Sequence, residues 1–179
     1  SPEQTQFGFD TLAKITTYAA LADASFKTSN DIHITEVNWP LSNFAPWAPA
    51  KTYLINESLQ SSYLVRYYLL MLASGKVKKC YWHQLVAPGY GLVNNLDQKI
   101  LKRDAYYCYK NLVEMLSGGI TKKLIREKNL FCLVVEKENM IIEAIWSIKE
   151  SASFKSNPAQ NIIDIRGRTI DTKNSPVVE

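Results

Sequence analysis

Long apolar runs are missing from this sequence of 179 residues. No stretch approaches the roughly 18 consecutive apolar residues that mark a membrane-spanning helix, so no membrane span is expected. Cysteine is scarce: Cys80, Cys108 and Cys132 are odd in number, far apart and without a CxxC pair. That spacing offers neither a disulfide framework nor a zinc or redox motif, so no metal site is assigned and buried free thiols are the default reading. A strong charge of one sign is also lacking. Lys and Arg number 21 against 17 Asp and Glu, a formal net charge of +4. No basic run interleaves with aromatics on one element, so nucleic acid is not the expected partner. The densest basic stretch, 122–128, also holds Glu127 and reads as a solvated strand and turn. There is no internal repeat, no low-complexity segment, no signal peptide and no initiator Met. The chain reads as a piece of something longer, and the sequence assigns it no compartment.

What is present is a folded composition, 46% hydrophobic and 21% charged. Ten Tyr and four Trp suit carbohydrate binding and suit a packed core equally well. A helix is expected over 10–25, with Leu12, Ile15, Ala19, Leu21 and Ala22 on its apolar side and Asp10 as cap. A strand follows at residue 32. A long loop over 39–55 carries Pro40, Pro46 and Pro49, and loops of that length inside a domain are usually functional. A second helix is expected over 56–74, with Leu59, Tyr63, Leu64, Tyr67, Leu70 and Met71 as its stripe and Gly75 as its stop. A strand over 77–85, a loop with Pro88, Gly89 and Gly91, and a helix over 103–116 complete the first part. Alternation of helix and strand is the signature of parallel βα units. After Gly119 the pattern becomes all-β: strands over 129–137 and 140–148 about a turn at Glu138-Asn139, a polar loop over 149–160, a strand over 161–166, then short extended pieces at 169–170 and 176–178.

The residues with chemical promise sit at strand ends. The run Ile32-His33-Ile34-Thr35-Glu36-Val37-Asn38-Trp39-Pro40 reads as a short strand that ends on a carboxylate and breaks into a loop. Alternation places Ile32, Ile34 and Glu36 on one face, with Thr35 and Val37 on the other. A carboxylate at the C-terminal end of a barrel strand stands where that fold places catalytic groups. The second strand ends in Trp82, His83 and Gln84, side chains that can stack on sugars or hydrogen-bond to them. The alternative reading of Trp82 is an ordinary core Trp. His33 should point away from Glu36 by alternation and is read as structural. Trp39 and Trp47 on the long loop suit binding or loop anchoring. Arg66, among Tyr residues in mid-helix, reads as one half of an ion pair to another helix or loop. Trp146, Asp164, Arg166 and Arg168 read as structural parts of the β-rich tail.

Three stretches carry a resemblance: Ile34-Thr35-Glu36-Val37-Asn38-Trp39-Pro40, Tyr63-Leu64-Val65-Arg66-Tyr67-Tyr68, and Tyr81-Trp82-His83-Gln84-Leu85 through Ala87-Pro88-Gly89-Tyr90-Gly91-Leu92. Together they resemble the last quarter of clan A glycoside hydrolases, most of all bacterial family-39-like members. The resemblance implies an α/β fold: the C-terminal portion of a (β/α)8 TIM barrel, strands seven and eight with their helices, over 1–118, then a small antiparallel β-sandwich over 119–179. It implies a glycosidase that hydrolyses β-O-glycosidic bonds of a poly- or oligosaccharide with retention, without metal or organic cofactor. Glu36 would be the nucleophile and Trp82 would lie under the reacting sugar. Asn38, Trp39, His83, Gln84 and Tyr90 would be near the cleft by position. The family's acid/base, a Glu after an Asn at the end of strand four, has no counterpart here; Asn56-Glu57-Ser58 opens a helix and reads as a cap. A complete barrel needs eight strands and about 250 residues, so the N-terminal part of the barrel would be required for catalysis. The rival reading is a non-catalytic module that binds carbohydrate or a protein partner.

Overall fold

The computed structural model describes residues 1–5, 8–25, 31–48, 50–149, 152–153, 161–171 and 177–178. It is a mixed α/β chain in two units, Ser1–Lys110 and Asn111–Glu179. In chain order the elements are α1 (Thr11–Ala24), β1 (Ile32–Val37), a 3-10 helix (Ser42–Trp47), α2 (Glu57–Ser74), β2 (Val77–Trp82), β3 (Val93–Asn94), a 3-10 turn (Leu96–Gln98), β4 (Leu101–Lys102), α3 (Asp104–Leu116), β5 (Ile120–Glu127), β6 (Leu130–Lys137), β7 (Met140–Ser147), β8 (Ala152–Ser153) and β9 (Val177–Val178). No helix among the described residues is long and apolar enough to cross a membrane.

The helix ends follow from local chemistry. The Asp10 carboxylate accepts the Ala13 N–H at 2.8 Å, and the Asn56 side chain accepts the Leu59 N–H at 2.8 Å. Each satisfies one of the donors that a helix start leaves unpaired. Gly75 closes α2 in the left-handed region, φ 60°, where a side chain would be strained. In the first unit β1 and β2 pair in parallel, with α2 between them in sequence, as a parallel connection requires. α1 packs on α2, and Ile15, Ala19, Leu64, Leu69, Leu70 and Met71 are buried.

The helix stripes differ from the sequence expectation in two places. Leu21 lies on the far side of α1 from Ile15 and Ala19 and is 62% exposed. On α2, Leu59 is exposed while Gln60, Ser61 and Arg66 are buried. Polar residues occupy that face because each has a partner. Arg66 is bidentate to Glu3, with both side chains nearly out of water. This is the ion pair between helix and loop that the sequence suggested. The strand expected over 77–85 stops at Trp82, where the chain turns back on itself: Leu92 and Val93 donate N–H groups to the carbonyls of Gln84 and Leu85. β3 and β4, two residues each, are too short for periodicity to reveal.

In the second unit β5, β6 and β7 form an antiparallel sheet in the order β5-β6-β7. Phe131, Leu133 and Val135 alternate along β6 and are buried; Trp146 stacks on Phe131 at 5.1 Å and is itself 4% exposed. The basic stretch 122–128 is a solvated strand running into a turn, as its composition suggested. No strand forms over 161–166. The Asp164 carboxylate instead accepts the N–H groups of Arg166 and Arg168, both at 2.9 Å, and pairs with the Arg168 guanidinium. That local competition folds the segment into a turn, leaving a single bridge between Ile163 and Thr169. Of the expected loop over 149–160, Ala152–Ser153 form β8, paired with Val177–Val178; residues 150–151, 154–160 and Pro176 lie outside the described residues.

Between α2 and β2, the Cys80 thiol is pushed up to about 11 by burial, against a Tyr68 hydrogen bond that lowers it. Burial also pushes Tyr67 up to about 12. The folded state therefore holds these protons more tightly than the unfolded state. The stability that Cys80 contributes is complete below its ordinary value of 9.0 and is lost as pH rises through about 11. Urea midpoints should fall between about pH 9 and about pH 11, and Cys80→Ala should shrink that fall. An alkaline fall of equal size in wild type and Cys80→Ala would contradict the assignment.

Candidate active site

Glu36 is one residue before the end of β1, and the strand is irregular there. Ile34 pairs with Cys80 and Val37 with Trp82, three steps along β1 against two along β2. An extra residue therefore sits on β1 within Thr35-Glu36, which is a β-bulge, and bulges re-aim side chains beside active sites. The bulge corrects the simple alternation: Glu36 is exposed, whereas Ile32, Ile34 and Val37 are half-buried. Regular side-chain alternation carries no signal for such a register shift.

The two strand ends are held together by the backbone. His83 donates its N–H to the Val37 carbonyl at 3.0 Å, and the Asn38 side chain donates to the His83 carbonyl at 2.7 Å. The peptide between His83 and Gln84 is cis. His83 stacks on Tyr90 with ring centroids 5.6 Å apart and planes 14° apart. Trp82 is half-buried, with its ring centroid 6.1 Å from that of Trp39. Trp39 is in turn edged by Tyr63 at 5.4 Å and Tyr67 at 5.7 Å. Asn38, Trp39, Trp82, His83 and Tyr90 are thus one connected group. Gln84 is exposed, and its amide donates to the Val86 carbonyl, a bond within its own turn. The indole N–H of Trp82 is buried and has no partner among the described residues.

Two residues that sequence reasoning passed over brace this group. Gln60 is fully buried and donates from Nε2 to the carbonyls of Trp39 and Tyr90, at 3.1 and 3.2 Å. It ties the loop after β1 to the loop after β2. Arg103 is 4% exposed; it donates to the Pro88 carbonyl, lies 4.6 Å over the Phe44 ring, and approaches Glu57 at 3.3 Å. Burial lowers the Arg103 pKa, with Glu57 opposing. Gln60 could have been found as a polar residue four before the buried Leu64 on the same helix. Arg103 sits at a loop-to-helix boundary with no pattern around it. Glu57 is engaged by Arg103 at the start of α2, in keeping with the reading of Asn56-Glu57-Ser58 as a cap. No group of three or more His, Cys, Asp or Glu side chains among the described residues could hold a metal ion.

The two loops meet at Gly89. A Cβ there would lie 2.5 Å from both C and O of Trp47 and 2.6 Å from the Ala48 nitrogen. Leu41 also donates its N–H to the Gly89 carbonyl at 2.8 Å. Gly89→Ala should force the loops apart and cost about 1–3 kcal/mol, the usual range for overpacking. Urea denaturation followed by Trp fluorescence reads this directly; a variant within about 0.5 kcal/mol of wild type would contradict the close approach.

No family model and no curated protein sequence matches the chain. Among solved structures, a family 39 glycoside hydrolase from the gut symbiont Bacteroides cellulosilyticus WH2 superposes with a TM-score of 0.66 at 16% sequence identity. The match covers 92% of this chain and 36% of the neighbour, so the chain spans about a third of that structure's length. By its fold, then, the chain is similar to a portion of a family 39 glycoside hydrolase.

Proposed function

We propose that the chain carries part of a retaining glycoside hydrolase acting on β-O-glycosidic bonds of a poly- or oligosaccharide, with Glu36 as the nucleophile. One observation carries the reading. An exposed carboxylate stands at the C-terminal end of β1, beside the Trp-tipped end of its parallel partner β2, in a fold similar to part of a family 39 glycoside hydrolase.

In this reading β1 and β2 are strands seven and eight of a (β/α)8 barrel that occupies 1–118, and 119–179 is a β-sandwich accessory domain. Two features support it. The sheet of β1 and β2 has only two strands among the described residues, so both outer edges lack a partner strand, and a barrel closes such edges. The buried indole N–H of Trp82 also has no partner among the described residues, and leaving a buried donor unsatisfied costs about 1–3 kcal/mol. Both are expected of a part whose neighbours belong to the rest of the barrel.

The mechanism follows from two carboxyl groups about 5–5.5 Å apart. Glu36 attacks the anomeric carbon and forms a glycosyl ester. The bond to the leaving oxygen breaks as the second carboxyl gives that oxygen its proton. Water then attacks the same carbon, the second carboxyl takes the water's proton, and Glu36 is released as a carboxylate. The second carboxyl comes from outside this chain. Trp82 forms the floor under the reacting ring, and Asn38, Trp39, His83, Gln84 and Tyr90 line the cleft. The substrate is a carbohydrate, and the chemistry uses neither metal nor organic cofactor.

In the full-length protein, Glu36→Ala should lower kcat/KM on an aryl glycoside by roughly 10³-fold or more. Azide, small enough to enter the space left by the carboxylate, should restore turnover and yield the α-glycosyl azide. Activity that survives Glu36→Ala, or an azide product of β configuration, would remove Glu36 from the role. Expressed by itself, residues 1–179 should self-associate through the open edges of the β1–β2 sheet, and light scattering should report oligomers that the preceding barrel strands suppress when supplied in trans. A monomer that unfolds cooperatively would contradict the barrel assignment.

A further inference from the structure

We infer that Trp47 is a second sugar platform, holding a further ring of the same saccharide chain beyond the ring that reacts. The inference rests on the glycosidase reading and extends it to the length of substrate recognised. Trp47 closes the 3-10 helix on the loop that leaves Glu36, and its side chain is 50% exposed. Trp39 and Trp82 are half-buried and Trp146 is 4% exposed, so Trp47 is the Trp most open to a ligand.

An exposed aromatic is ordinary on a protein surface, but this one is mounted rigidly. The Trp47 backbone packs directly on Gly89, so closely that no side chain fits between them. Phe44 lies 6.5 Å from the Trp47 ring and is covered by the Arg103 guanidinium, which also holds the Pro88 carbonyl. Tyr90, the residue after Gly89, stacks on His83, and His83 is bonded to the end of β1 through Val37. A continuous chain of contacts therefore fixes the position of the Trp47 backbone relative to the strand ends that carry Glu36 and Trp82. Pre-positioning of this kind lowers the ordering cost of binding. The ligand class follows from the chemistry of the platform. An indole offers a flat apolar face, and a pyranose offers a matching face of C–H groups while its hydroxyls stay in water. A half-exposed Trp suits such a ligand: one face takes the ring and the rim remains wet.

Two measurements on the full-length protein test the inference. Trp47→Ala should lower kcat/KM on tetra- and pentasaccharides about five- to tenfold, in line with roughly 1 kcal/mol for one aromatic contact, and lower it less on an aryl monoglycoside. Trp47→Phe, with a smaller ring, should fall between. An equal loss on short and long substrates, or no loss on either, would overturn the platform while leaving Glu36 as nucleophile untouched. If wild type hydrolyses nothing in the panel, the glycosidase reading fails and the platform is judged by affinity electrophoresis. Native gels containing soluble β-glucan, xylan or mannan should retard wild type and not Trp47→Ala. Equal mobility of the two proteins in all three gels would overturn the platform.

Discussion

The hydrogen bond from the His83 N–H to the Val37 carbonyl joins the ends of two parallel strands at the point where both leave the sheet. Nearly everything around the candidate site hangs from this junction. It puts the last residues of β1, Glu36 included, beside Trp82 on β2. It also brings the two following loops into contact, so that Asn38 reaches the His83 carbonyl and Gly89 meets Trp47. A parallel pair has no local turn to set its register, because a whole helix intervenes. The register must come from packing of α2 and from the bulge at Thr35-Glu36, which turns Glu36 out of the half-buried row that alternation would give it.

Buried polar groups do the bracing that an apolar core does elsewhere. Gln60 spans two carbonyls, and Arg103 spans a carbonyl, a carboxylate and an aromatic face. Loops carry backbone groups that cannot be buried unpaired, and a side-chain amide or guanidinium reaches them where no strand can. The cost is rigidity of requirement. Removing one such brace would leave a buried carbonyl unpaired and lose more than a single hydrogen bond contributes on balance.

Sequence alone was most legible where the chemistry is local. Asp10, Asn56 and Gly75 marked helix ends that the structure places within a residue, because a cap is a property of a few neighbouring atoms. The exposed Leu21 and Leu59 show that composition within a helix overstates its buried side when the wheel is not followed strictly. The apolar residues over 161–166 predict a strand where the chain turns at Asp164, because they say nothing of a carboxylate that captures two N–H groups. The bulge at Glu36 and the partners of Gln60 and Arg103 were invisible for a common reason: each depends on residues distant in sequence, 21 and 30 positions for Gln60 to Trp39 and Tyr90 and 15 for Arg103 to Pro88. The resemblance to family 39 rests on three short runs, around Glu36, over 63–68 and from Tyr81 to Leu92, and a solved family 39 structure does share the fold over 92% of the chain.

In the proposed mechanism, Glu36 is the residue that bonds to sugar. The most direct measurement is covalent trapping: incubate the full-length protein with activated 2-fluoro-glycosides, digest it, and locate the adduct by peptide mass spectrometry. A 2-fluoro substituent slows breakdown of the glycosyl ester, so a retaining enzyme accumulates it. With Glu36 as nucleophile, the adduct should lie on the peptide containing Glu36, with fragmentation placing it on that side chain. An adduct on any other carboxylate, or hydrolysis of the glycosides with inversion and no adduct, would contradict it.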